Sequence, residues 1–334
     1  MNQISFYPLR FEPIYQYRLW GGRRLGGLLS KPLPDDEPVG EAWLLSDRDD
    51  HSSLVANGPL QGSTLGQLFK QWPEQLMGKL AGRFSRFPLL LKFLDAREML
   101  SIQVHPSDRQ TQYLPAGEHG KTEAWVVLES GPESRIYAAL KPNTTPDDLR
   151  QAIENRTVAE YLSGFKPKPG DGVLLQAGTV HSLGDVVVFE VQQNSDVTFR
   201  LYDWERIDAQ TGRKRKLDVE QAMACIDFSR GAVSPVVPVV EEVHPVLRER
   251  LFLCEYFELW RLGGETPFTV GSAGTPRLLV CTAGEGRLEY RGCDYPIGKG
   301  DVMLLPAILG TCLCRTSDTI NLLEISIPEK GIVE

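Results

Sequence analysis

The chain predicts a mainly β protein: two antiparallel β-barrels of the jelly-roll kind, with a few helices inserted in the N-terminal half. Three observations carry this expectation. Short apolar runs bounded by Gly and Pro recur without the strand–helix alternation of a doubly wound sheet. A stretch near residue 170 repeats near residue 300. A Pro/Val-rich segment, Val233 to Val246, with Pro235, Pro238 and Pro245, separates two series of such runs.

The first series predicts strands at Leu89–Phe93, Leu100–Val104, Glu123–Leu128, Arg135–Ala139, Gly172–Leu175, Val186–Gln192 and Thr198–Tyr202. The second predicts them at Tyr256–Leu262, Arg277–Thr282, Gly286–Tyr290, Val302–Leu305 and Thr319–Ile325. Helical spacing of Leu65, Leu68, Phe69, Trp72, Leu76 and Leu80 predicts a helix from Thr64 to Leu80. Another starts at Pro146-Asp147-Asp148, where Pro and acids occupy the first turn, and runs toward Gly164. A short third helix is expected over Asp218 to Cys225. The Pro-rich segment then divides the chain into a catalytic barrel, 1–232, and a second barrel, 233–334.

The repeat is specific in its residues. Gly170-Asp171-Gly172 through Gly178-Thr179-Val180-His181 aligns with Gly300-Asp301-Val302 through Gly310-Thr311. Both copies resemble the second cupin motif, a Gly-Asp turn, an apolar strand, then Pro-x-Gly-x-x-His; in the first copy Gln176 replaces the Pro and the histidine is present. In the second copy Thr311 stands where the histidine would be. The chain therefore resembles a bicupin with one metal-binding barrel and one without a metal site.

Composition narrows the function classes. The length of 334 residues with 42% hydrophobic side chains suits two cores. A net charge of −8 gives no basic field for nucleic acid, so an anionic ligand needs a local cationic cluster. No apolar run approaches the ~18 residues of a membrane helix, and the first residues carry no export signal, so a cytoplasmic protein without membrane partners is expected. The six cysteines form no CxxC pair and are expected as reduced thiols.

Within Ser101-Ile102-Gln103-Val104-His105-Pro106, strand alternation puts Ser101, Gln103 and His105 on one face and Ile102 and Val104 on the other. Glu123 opens the next strand pattern, and His181 follows the Gly178 turn. Two imidazoles, a carboxylate and an amide oxygen form a mixed set suited to Zn²⁺, with room for a substrate oxygen. His51, His119 and His244 have no such setting and are expected at the surface. Arg213-Lys214-Arg215-Lys216, after Gly212, is expected to be a solvated loop.

The motifs Trp20-Gly21-Gly22, Gly40-Glu41-Ala42-Trp43, Pro88 to Lys92, Leu100 to Pro106, Gly120-Lys121-Thr122-Glu123-Ala124-Trp125, Gly178 to His181 and Gln192 to Asp203 together resemble the type I phosphomannose isomerases, in their short bacterial form. They span residues 10 to 205 in the family's order. The resemblance implies an aldose–ketose isomerase that interconverts mannose 6-phosphate and fructose 6-phosphate through an enediol(ate). It implies one zinc ion per chain, on Gln103, His105, Glu123 and His181. It also implies an active-site arginine at Arg200, pocket lysines at Lys92 and Lys121, and a phosphate-contacting serine at Ser101. Zinc beside Lys121 would lower that lysine's pKa toward the range of a general base. Asp185 stands where short relatives often carry Lys, so one cation is expected to be missing from the pocket mouth. The partner is a hexose 6-phosphate, and the chain is expected as a monomer or weak homodimer. Two alternatives remain at this point: an iron cupin dioxygenase, and a non-catalytic sugar-phosphate sensor.

Overall fold

In the computed structural model, which describes residues 5–316 and 318–329, every strand pairing is antiparallel and the expected mainly β architecture is present. The first half builds a nine-stranded sheet in the order Gly172–Leu175, Glu123–Leu140, His181–Gln193, Leu89–Ala96, Ile14–Gly22, Val39–Leu45. Ile102–Val104 joins it by pairing with both His181–Gln193 and Phe199–Tyr202. The second half builds a seven-stranded and a four-stranded sheet, from Val239–Glu242 to Ile320–Ser326. Leu9–Arg10 crosses over to pair with Val302–Leu305. One apolar core runs from Leu65, Leu68 and Leu76 to Leu278 and Leu304 of the second half. Among the described residues no helix is long and apolar enough to cross a membrane, and the six cysteines are free thiols.

The two copies of the repeat fold alike. Gly170 and Gly300 both have positive φ, at 93° and 88°, a conformation that glycine adopts without steric cost. Asp171 accepts a bond from Lys168 N and Asp301 one from Gly298 N, each at 2.8 Å and each from three residues back. An apolar strand follows in both, and only past it do the copies part: the positive-φ Gly178 stands three residues before His181, whereas the positive-φ Gly310 follows a 3₁₀ turn at Ala307–Leu309 and directly precedes Thr311.

Several elements depart from the sequence expectation. The helix over Thr64–Leu80 is three pieces, Leu65–Gln71, Pro73–Met77 and a 3₁₀ turn at Gly78–Leu80. Pro73 forces the break, because it drives the preceding Trp72 out of helical geometry to φ −138°, ψ 55°. The helix from Pro146 ends at Asn155, with Arg156 left-handed at φ 62°, and a 3₁₀ turn at Val158–Tyr161 follows. Its start is a capping box between Thr145 and Asp148. The expected strands at Glu123–Leu128 and Arg135–Ala139 are one, Glu123–Leu140, with a bulge opposite Gly184–Val186. Ile14–Gly22, Val39–Leu45 and Val246–Leu253 are strands the sequence reading did not include.

Candidate metal centre and its cavity

Register places the polar row. Ile102 and Val104 are fully buried among Leu140, Leu149, Val180 and Leu201. That fixes Ser101, Gln103 and His105 on the opposite face, as alternation requires. Gln103 is the direct cross-strand partner of His181 on one side and of Arg200 on the other. Glu123 begins the neighbouring long strand, opposite Gln192. The turn at Gly178 is tied to the end of the Gln103 strand, since Gly178 N donates to His105 O at 2.9 Å.

These constraints bring His105, Glu123 and His181 together as the group, among the described residues, whose ligand atoms all lie within 4.8 Å of one another. His105 Nε2 is 3.4 Å from Glu123 Oε2, and His181 Nε2 is 3.3 Å from Glu123 Oε1. Each imidazole donates its Nδ1–H to a carbonyl, His105 to Val197 O at 2.8 Å and His181 to Thr179 O at 2.9 Å. A carbonyl only accepts, so Nδ1 carries the proton and Nε2 presents its lone pair inward. Burial, with Lys121 nearby, pushes the His105 pKa down to about 3, and burial lowers that of His181, so both rings are neutral. Burial alone would raise the Glu123 pKa, but the neighbouring Lys121 ammonium holds it well below the usual carboxylate range.

The donor set fits a divalent cation. His105 Nε2 and Glu123 Oε1 are buried without a hydrogen-bond partner, and Glu123 Oε2 has the Lys121 ammonium on one side alone, an arrangement costly for a protein unless something else occupies the space between them. Two neutral imidazoles and a carboxylate are a borderline N/O set, suited to Zn²⁺. Gln103 turns its amide nitrogen to His181 Nε2 at 3.3 Å, and its Oε1 accepts from Ser101 Oγ at 3.0 Å. A half-turn of the amide presents the oxygen instead, and the Ser101 hydroxyl serves either orientation.

Adjoining this group through Gln103 and Lys121 is a cavity of 370 Å³, also lined by Trp125, Glu190, Lys92, Arg18, Asp196, Arg200 and Arg215. Its cations differ in how they are held. Lys121 Nζ is 2.8 Å from Glu123 Oε2. Lys92 Nζ lies 3.4 Å from Glu190 Oε1 and 5.0 Å over the Trp43 ring. Arg18 makes a fork on Glu41 at 3.1 and 3.0 Å. Arg200 differs from these, with a buried Nε that has no hydrogen-bond partner. Burial and the neighbouring Arg215 lower its pKa from the ordinary guanidinium value.

The structure corrects the reading of Arg213-Lys214-Arg215-Lys216 in one residue. Arg215 is not a solvated loop charge: its guanidinium grips Asp203 at 2.8 and 2.6 Å and lines the cavity near Arg200. The protein groups around Lys121 by themselves raise its pKa: burial opposes the charge, but Glu123 and Glu190 outweigh burial. Asp185 accepts from Glu133 N at 3.0 Å and is not among the residues that line the cavity. Ser101 is 1% exposed and supports Gln103; among the described residues it does not line the cavity. His119 is exposed, whereas His51 packs against Trp43 with ring centroids 5.2 Å apart.

The sequence reading missed Glu190, Glu41, Trp125 and Arg18 as cavity residues. Glu190 is directly opposite Lys92 on one side and Trp125 on the other, so all three share a face. Its Oε2 accepts from Trp125 Nε1 at 2.8 Å, and its Oε1 is buried without a hydrogen bond. A lone carboxylate inside the apolar run Val186 to Val191 was the signal that could have found it.

Fold and site together define a class: a cupin-type β-barrel protein with a buried His–Glu–His group suited to a metal, beside a cavity lined by cations and carboxylates. Comparison with known proteins then gives the family. The model for the phosphomannose isomerase type I catalytic domain matches residues 9–124. Mannose-6-phosphate isomerase ManA of Bacillus subtilis is 36% identical over 312 residues, covering 91% of this chain and 94% of the relative. The probable mannose-6-phosphate isomerase GmuF of the same organism is 35% identical over 323 residues, 92% of this chain and 97% of the relative. The crystal structure of the mannose 6-phosphate isomerase from Bacillus subtilis superposes with a TM-score of 0.87 at 29% identity, covering 95% of this chain and 99% of that one. The chain belongs to the type I phosphomannose isomerase family.

Proposed function

We propose that this chain interconverts mannose 6-phosphate and fructose 6-phosphate, with one zinc ion held by His105, Glu123 and His181 and with Gln103 as a further ligand. The observation that carries the reading is the convergence of His105, Glu123 and His181 on one buried point, next to Gln103 and Lys121 of a cavity whose wall also holds Arg200, with its buried Nε free of hydrogen bonds. A zinc ion bound there would act as a Lewis acid toward the sugar's carbonyl and hydroxyl oxygens.

The chain's own residues supply the rest. Isomerisation moves a proton between C1 and C2 and places negative charge on the enediol oxygens. Glu190, whose Oε1 is buried without a hydrogen bond and has Lys92 Nζ 3.4 Å away as its cationic neighbour, is the carboxylate assigned to carry the proton. Lys121, held as an ammonium by Glu123, stabilises the developing charge. Arg200 lies two strands from His181, about 10 Å away by strand spacing. That separation suits a hexose with its C1–C2 end over the metal group and its phosphoryl group on Arg200 and Arg215. Lys92 is reserved by Glu190 and Glu41, so it orients carboxylates more than it meets phosphate directly.

A coupled assay with mannose 6-phosphate, together with metal analysis of the purified protein, tests the reading. Turnover with stoichiometric zinc supports it. Binding without turnover would establish a sensor, and stoichiometric iron with oxygen uptake would establish an oxygenase.

A further inference from the structure

The second barrel keeps the cupin turn but has Thr311 in place of a ligand histidine, which leaves open what it contributes to the site. One of its side chains reaches the segment that carries Lys121 and Glu123. Tyr256 OH donates to Asp108 Oδ2 at 2.8 Å. Asp108 lies just past the His105-Pro106 motif and is a hub. Its Oδ1 accepts from Gly120 N at 2.7 Å, and its Oδ2 also accepts from Gln193 Nε2 at 2.9 Å. Gln193 in turn clamps the backbone of Thr122 from both sides: its Oε1 accepts from Thr122 N at 2.9 Å and its own N donates to Thr122 O at 3.1 Å.

We infer that the second barrel sets the position of Lys121 and Glu123 through this relay, from Tyr256 to Asp108 to the Gly120–Thr122 backbone, which makes Asp108 and Tyr256 positioning residues for the metal centre. The inference rests on the metal site read above.

Geometry on each side supports it. Thr122 sits between Lys121 and Glu123, and side chains alternate along an extended backbone, so fixing the Thr122 amide and carbonyl fixes which way both neighbours point. Gly120 has no room to drift: a Cβ there would stand 2.4 Å from Asp108 N, so this backbone is pressed against the hub. At the other end, Tyr256 is held in a closed turn. Cys254 N donates to Phe257 O at 3.0 Å, and Phe257 is fully buried in the shared core. Burial and the neighbouring Asp108 carboxylate raise the phenol's pKa, which keeps it a donor at any working pH. Outer partners that aim metal ligands commonly change metal affinity or activity by about 10- to 100-fold when removed.

The test uses the full chain, stripped of metal and titrated with zinc against a chromophoric chelator, alongside isomerase kinetics and thermal unfolding. Tyr256→Phe removes one oxygen and keeps the ring. It is expected to weaken zinc binding about 10-fold and to lower kcat by a similar factor with KM within about twofold. Asp108→Asn sets an amide nitrogen opposite Gln193 Nε2 and is expected to act in the same direction. The double variant should be no worse than Asp108→Asn alone, since both act through one relay. A Tyr256→Phe protein with wild-type zinc affinity and kcat overturns the inference, even if its melting temperature falls, because that outcome is a purely structural contact. Additive losses in the double variant overturn the relay as well. If the wild-type chain shows no isomerase turnover, the functional proposal fails while zinc affinity still decides this one.

Discussion

Gln103 lies directly across the sheet from Arg200, so the amide beside the metal group and the guanidinium facing the cavity share one face of neighbouring strands. An unpartnered guanidinium with a buried Nε is costly to keep unless an anion or developing charge occupies its front. Arg200→Ala is therefore expected to lower kcat/KM by at least ~10²-fold in the coupled assay. Near wild-type turnover would refute that role.

Arg215 is expected to act on binding more than on chemistry, because Asp203 already holds its charge at the cavity wall near Arg200, the end that the proposed function gives to the phosphoryl group. Arg215→Ala should raise KM for mannose 6-phosphate about 10-fold, the worth of one charge-assisted contact, and leave kcat within a factor of about three. Steady-state kinetics at constant ionic strength check this.

Glu190→Gln keeps the volume and the Trp125 contact but removes the proton acceptor. The rate should fall by about 10²-fold or more, with the solvent-exchange of the C2 proton lost in parallel. Exchange that persists at the wild-type rate would move the proton to another group.

Glu41 gives a pH prediction away from the metal ligands. Burial would raise its pKa, but Arg18, Lys92 and the Trp43 N–H together hold it down at about 2. A carboxylate depressed in the folded state adds stability above its unfolded pKa near 4.5, and that stability is lost as pH falls toward 2. Glu41→Gln should cost about 2–3 kcal/mol at pH 7, discounted for the partial exposure of Arg18, and the gap from wild type should close between about pH 5 and pH 2. Urea denaturation across that range measures it.

What the sequence made legible was local. The row Ser101, Gln103, His105 follows from alternation alone, and the duplicated Gly-Asp turn announces two barrels before any pairing is known. Arg215 was illegible because its meaning depends on Asp203, which is 12 residues away and across a loop; beside Arg213 and Lys214 it reads as one more solvated charge. Glu190 was hidden by an apolar run that fixes the strand but not what its one carboxylate faces. The strand Ile14–Gly22 escaped because its alternation mixes aromatic and charged residues, a pattern that makes sense only once Arg18 is seen paired with Glu41 at the cavity wall.

The central claim is that His105, Glu123 and His181 grip one divalent ion that the chemistry requires, and it is tested most directly by isomerase activity and bound zinc measured on the same samples of wild type, chelator-treated wild type and His181→Ala. The account predicts one zinc and turnover in wild type, loss of both on chelation with recovery on adding zinc, and loss of both in the variant that zinc does not restore. Sustained turnover of mannose 6-phosphate by metal-free protein or by His181→Ala would contradict it.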